Sequence, residues 1–118
     1  MLKSLKLLSD PTRLRILMLV SEESLSVADL QEILGMGQSR ISTQLSQLKT
    51  AGLVTDERSG KNNMYSCSAS PDLLEVARLA AHEVPDIPTD QSALRHLLRK
   101  RRDTARSYFD ELAGRFGK

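Results

Sequence analysis

One cysteine, no tryptophan and four other aromatic residues in 118 exclude several kinds of protein at once. A single thiol, Cys67, gives no disulfide framework and no thiolate cluster for a soft metal ion. With aromatics at 3%, the core must be aliphatic and drawn from a hydrophobic content of 40%. No apolar run approaches the ~20 residues that cross a bilayer. The basic start Met1-Leu-Lys-Ser-Leu-Lys-Leu-Leu8 breaks at Ser9-Asp-Pro-Thr12, too soon for a signal peptide, so a cytoplasmic location is expected. There is also no glycine-rich phosphate loop after a strand, and no nucleophile, base and orienter in a recognisable set. The chain is therefore expected to be no enzyme and to carry no cofactor.

What is present is a patterned stretch from Ser26 to Val54. Val27, Leu30, Ile33 and Leu34 recur at helical intervals and predict a short helix with one apolar stripe. Gly35 and Gly37 then permit a sharp turn. Gln38 or Ser39 is expected to cap a second helix, in which Ile41, Leu45 and Leu48 face inward. This leaves Ser39, Arg40, Ser42, Thr43 and Gln44 on an outer face that is polar and, apart from Arg40, uncharged. Solvated helix faces favour Glu and Lys, whereas hydroxyl, amide and guanidinium groups hydrogen-bond base edges and phosphates. Two packed helices with a polar exterior remain the bland alternative.

Leu53-Val-Thr-Asp-Glu-Arg58 and Asn63-Met-Tyr-Ser-Cys-Ser68 have strand-compatible composition around a turn at Ser59-Gly-Lys-Asn62, which predicts a hairpin. Arg58 and Lys61 flank its tip. The expected fold class is mainly α with a small β-hairpin wing: a winged helix-turn-helix. Asp10-Pro11-Thr12 opens the helix before it, since proline suits a first helical turn. Leu14, Leu17 and Val20 are expected to form that helix's buried face, with Ile16 and Met18 at its margins. Arg13 and Arg15, at its start, are candidate phosphate contacts.

These segments resemble the ArsR/SmtB winged-helix regulators. The resemblance rests on Ser9-Asp-Pro-Thr-Arg-Leu-Arg-Ile-Leu17, Ser26-Val-Ala-Asp-Leu30, Gln38-Ser39, Leu45 to Leu48 and Ala51-Gly-Leu-Val54, and covers roughly residues 5–68. It implies a homodimeric transcriptional repressor that reads a pseudo-palindromic operator in double-stranded DNA. Recognition would fall on Gln38, Ser39, Arg40, Ser42, Thr43 and Gln44, and wing contacts on Arg58 and Lys61. The first and last helices would form the dimer interface, which suits the apolar set Leu2, Leu5 and Leu8.

Where many relatives place a metal-binding Cys-x-Cys pair, this chain has Ser26-Val-Ala28. His82 and Glu83 with Asp72 or Glu75 are the remaining candidate ligands, but a tight site needs three or four. The expectation is no metal, and a small-molecule effector of unknown identity. Cys67, near a strand end, reads as a partly buried small residue; a thiol switch there would have no second cysteine to resolve it.

Beyond the wing, Ser70 opens a helix over residues 71–83 with Leu74, Ala77 and Ala81 on its tightest stripe. Val84-Pro-Asp-Ile-Pro-Thr-Asp90 predicts an extended link. A long helix resumes at Gln91 with Leu94, Leu98, Ala105, Tyr108, Phe109, Leu112 and Phe116 on one side. The expected organisation is a winged unit over residues 1–83, a Pro-containing linker over 84–90, and a dimerisation or linker helix over 91–118. The net charge is only +2, yet residues 94–118 carry eight Lys and Arg against three acids. A solvated basic face on a dimer-forming helix is favoured there over a second DNA-contacting element. The stretch Asp103 to Lys118 also resembles the joint in a subgroup fused to an S-adenosylmethionine-dependent methyltransferase. The alternative reading is thus the amino-terminal DNA-binding module of such a fusion.

Overall fold

The computed structural model describes residues 1–116, with side-chain surroundings for residues 1–107 and Leu112. Six helices and one hairpin follow in order: α1 (Leu2–Leu7), α2 (Pro11–Glu22), α3 (Val27–Leu34), α4 (Gln38–Thr50), β1 (Val54–Ser59), β2 (Asn62–Cys67), α5 (Pro71–Ala81) and α6 (Ile87–Phe116). The winged helix-turn-helix expected from the sequence is the architecture found.

α2 is the axis of the fold. Asp10 caps it by accepting from the Arg13 amide at 3.1 Å, with Pro11 in the first turn. The expected three-residue buried face is too narrow, because Ile16 and Met18 are buried with Leu14, Leu17, Leu19 and Val20. The reason is position: α2 packs against α4, α5, α6 and β2 at once, so it has no solvent side along its middle turns.

α3 starts with a capping box. The Ser26 hydroxyl accepts from the Asp29 amide at 3.1 Å, and the Asp29 carboxylate accepts from the Ser26 amide at 2.9 Å. Gly35 ends the helix in the left-handed region at φ 66, a conformation open to glycine at little cost. Gly37, at φ -71, uses no such freedom; it is itself the cap of α4, with Gln38 as the first helical residue. The side-chain cap expected at Gln38 or Ser39 is therefore absent. Nothing lies within 4 Å of a Cβ built on Gly35, so Gly35→Ala should meet only backbone strain. The expected loss is about 1 kcal/mol of unfolding free energy, read from chemical denaturation.

β1 and β2 pair antiparallel from Val54↔Cys67 to Ser59↔Asn62, each one residue offset from the expected span. Gly60, at φ 62, and Lys61 form the two-residue turn. Leu25 adds a short third edge through reciprocal bonds with Tyr65 (3.0 and 2.8 Å), which the strand pattern alone did not indicate.

In α5, capped by Ser70, the buried stripe is Leu73, Ala77 and Ala81; Leu74, expected in Leu73's place, is half-buried. The extended link over 84–90 is not found. Residues 82–86 make a tight turn, with Val84 N–H bonded to Ala81 O and Ile87 N–H to Val84 O, and α6 begins at Ile87, four residues early. Both prolines are compatible with this: Pro85 lies in the turn and Pro88 in the first turn of α6, where no helical N–H is required. Leu94 and Leu97 of α6 enter the core, Leu98 is half-buried, and Ala105 is exposed. The expectations for Tyr108, Phe109 and Phe116 lie outside the described side chains.

Candidate nucleic-acid interface

α4 is pinned from below and open above. Ile41, Leu45 and Leu48 are 0%, 1% and 0% exposed, one residue per helical turn against the core. The same spacing turns Gln38, Ser39, Arg40 and Thr43 outward, while Ser42 and Gln44 are half-buried at the edges of the face. Four of the six candidate residues of α4 are thus exposed, with Ser42 and Gln44 at opposite margins of the helix's polar side.

The edges of that surface are tied to α2. Arg40 Nη2 donates to the Thr12 hydroxyl at 3.3 Å. Arg13 Nη1 donates to Gln44 Oε1 at 3.0 Å and to Gln47 Oε1 at 2.9 Å, and its Nε donates to the Leu7 carbonyl at 2.6 Å. Arg13 therefore joins the end of α1, the start of α2 and the flank of α4. Arg15, expected beside it as a phosphate contact, faces the other way. Its Nε and Nη2 donate to the two carboxylate oxygens of Asp90 at 2.7 and 2.8 Å, and Nη1 lies 3.3 Å from Asp86. The hydrogen bonds to buried Asp90 hold its pKa above the ordinary arginine value against the opposing effect of burial. That expectation is corrected: Arg15 is a structural ion-pair partner, unavailable to phosphate.

The wing follows α4 and packs against it. Arg58, on β1, and Lys61, in the turn, are both exposed. Lys49, in the last turn of α4, donates to Asp56 of β1 at 2.7 Å, a contact that raises the lysine pKa. An exposed pair of this kind adds little stability; it links the end of α4 to the hairpin. Sequence reasoning missed Lys49 and Asp56, because an (i, i+7) pair across a turn has no helical or strand period.

The remaining candidates are scattered. Ser26 is occupied as the α3 cap. Asp72 and Glu75 stand at least seven residues from His82 along the α5 segment, about 10 Å or more of helix rise. Cys67 is half-buried at the end of β2. Among the described residues, no three His, Cys, Asp or Glu side chains gather into a metal-holding group, and no helix is long and apolar enough to cross a membrane.

Known proteins share both the pattern and the shape. Residues 10–56 match the family described as bacterial regulatory protein, arsR family. The uncharacterized HTH-type transcriptional regulator Rv0081 of Mycobacterium tuberculosis is 36% identical over 95 residues, 80% of this chain and 82% of the relative. Its crystal structure superposes with a TM-score of 0.59 over 77% of this chain and 93% of that one, at 35% identity. Reduced HlyU from Vibrio cholerae gives a TM-score of 0.61 at 28% identity, covering 69% of this chain and 84% of HlyU. The homodimeric winged helix-turn-helix DNA-binding domain of Mb0332 from Mycobacterium bovis gives 0.57 at 27% identity, covering 69% and 74%. With its two-helix motif, its wing and these relatives, the chain belongs to the ArsR family of helix-turn-helix transcriptional regulators.

Proposed function

We propose that the chain is a homodimeric repressor that inserts α4 into the major groove of a pseudo-palindromic operator and lays its wing along the adjoining backbone. The observation that carries this reading is the face of α4, where Gln38, Ser39, Arg40 and Thr43 are exposed above a fully buried Ile41, Leu45 and Leu48. These side chains, with Ser42 and Gln44, read base edges and phosphates; Arg58 and Lys61 hold backbone phosphates, and the free edge of the Arg13 guanidinium adds one more. The partner surface takes α1 and the last helix, α6, as the resemblance implies, and extends to α5, because Leu2 is 83% exposed, Val76 39% and Leu79 64%; Leu8, expected on that surface, is buried in the core instead. Apolar side chains so exposed on adjacent helices favour a second copy. The protein acts in the cytoplasm, where its operator lies, and carries no catalytic step.

Equilibrium titration of a labelled fragment of its own promoter tests the reading. Specific binding that weakens steeply with salt supports it, and no preference over unrelated DNA overturns it. Its effector is a small molecule and no metal ion, so dialysis against a chelator should leave the promoter affinity unchanged within a factor of about two. A tenfold change on removing or restoring a divalent metal would refute that part. A second reading makes this chain the amino-terminal module of a longer methyltransferase; the resemblance of residues 103–118 to a fusion joint supports it, and the gene sequence beyond Lys118 tests it.

A further inference from the structure

The basic face of α6 is anchored. Arg101 donates to Asp29, the buried carboxylate that closes the capping box of α3, so α6 is held across the start of the helix-turn-helix. Beside this contact α6 and Met64 of β2 line a groove of about 900 Å³. Its floor is apolar: Met64, which alternates with Tyr65 and so lies on the opposite face of β2, and Leu98, both half-buried. One wall is cationic, built from Arg95, Arg99, Arg101 and Arg102, while Glu23 and Ser24 close the other.

The charges on that wall are only partly matched. Arg101 has Asp29, and Arg95 donates to the Ser92 hydroxyl; Arg99 and Arg102 form no ion pair with any described carboxylate. Guanidinium groups held close together repel one another, and each presents a fork that fits the two oxygens of a carboxylate or phosphate. A volume of about 900 Å³ is that of a small-molecule site and far larger than one inorganic ion. Glu23 repels an anionic head from the far rim and so orients a ligand with its head toward α6.

We propose that this groove binds a small organic anion, with an oxyanion head on Arg99 and Arg102 and an apolar body over Met64 and Leu98. Such a head also competes with Asp29 for Arg101, which links occupancy of the groove to the start of α3. As the effector site of the repressor proposed above, it rests on that reading; as a binding site it stands alone.

Calorimetry on the full chain without DNA tests it, using 1-naphthyl phosphate and 1-naphthoate as probes. At least one should bind, and the tighter of the two identifies the head as phosphate or carboxylate. Uncharged 1-naphthol and inorganic phosphate should each bind at least tenfold more weakly. Arg99→Ala combined with Arg102→Ala should weaken the probe at least tenfold, and Arg78→Ala, an exposed cation outside the groove, should leave it unchanged. The proposal is overturned if neither probe binds at millimolar concentration, or if the double variant binds like the parent. It also fails if that variant binds no probe less tightly but loses affinity for all DNA alike, which would make the groove a backbone contact. Probe binding by a chain with no affinity for its promoter would keep the site and refute the repressor.

Discussion

Asp90→Ala is expected to lower the unfolding free energy by about 3 kcal/mol or more, the range found when one member of a buried ion pair is removed. Asp90 is 3% exposed, and both its oxygens accept from Arg15, whose side chain is 14% exposed. Without Asp90, the guanidinium keeps only Asp86, which is 61% exposed and contributes little through solvent. The pair also joins α2 to the first turn of α6, so its loss loosens the seat of the long helix. Denaturant unfolding at fixed protomer concentration measures the effect, since any dimer couples stability to concentration. The double variant Arg15→Met, Asp90→Leu should recover most of the loss, because replacing both charges removes the unpaired one. The pH dependence follows from the raised Arg15 pKa: a cation favoured by folding contributes fully below its ordinary value, and the contribution disappears only as pH rises through the higher folded value. The Arg15 contribution should thus be flat across the neutral range. A loss below 1 kcal/mol for Asp90→Ala would show that the pair is effectively solvated.

Arg40→Ala combined with Gln44→Ala is expected to weaken promoter binding about 100-fold or more at constant salt, since each base-directed contact is worth about 1–3 kcal/mol. The fold should survive. Arg40 is exposed and its one described partner, the Thr12 hydroxyl, lies at 3.3 Å. Gln44 does have an internal role as acceptor for Arg13, yet Gln47 accepts from the same nitrogen at 2.9 Å and the Leu7 carbonyl from Nε, so Arg13 remains tethered. Alanine is moreover a better helix former than glutamine. Circular dichroism and oligomeric mass should match the parent. A double variant that still shifts its promoter fragment with parental affinity would remove α4 as the reading element.

The helix-turn-helix was legible because its signals are local. A 3.6-residue period and Gly35 at the end of α3 act within one or two turns of chain, and the capping box of Ser26 and Asp29, equally local, went unread. The hairpin was legible for the same reason, to within one residue. What could not be read is what depends on distant partners. Arg15 and Asp90 are 75 residues apart, and nothing in Arg13-Leu-Arg15 distinguishes the arginine that braces α4 from the one that turns toward α6. The all-round burial of α2 follows from four neighbours assembling about it, a tertiary fact that overrides the stripe its sequence suggests. The early start of α6 was hidden because two prolines close together read as a break, although each occupies a position where a missing N–H costs nothing.

The long axis of the molecule bears on how its assembly state is measured. The protein extends 62 Å in one direction and 28 Å in the other two, with a radius of gyration of 16.5 Å against about 13 Å for a compact chain of this length. A particle more than twice as long as it is wide experiences more friction than a sphere of equal mass. On a gel-filtration column calibrated with round standards, a single copy would elute early and pass for a larger species. Mass must therefore be taken from light scattering or sedimentation equilibrium, which do not depend on shape. The same elongation makes tumbling anisotropic, so amide bonds aligned with α6 and those lying across it should relax at different rates.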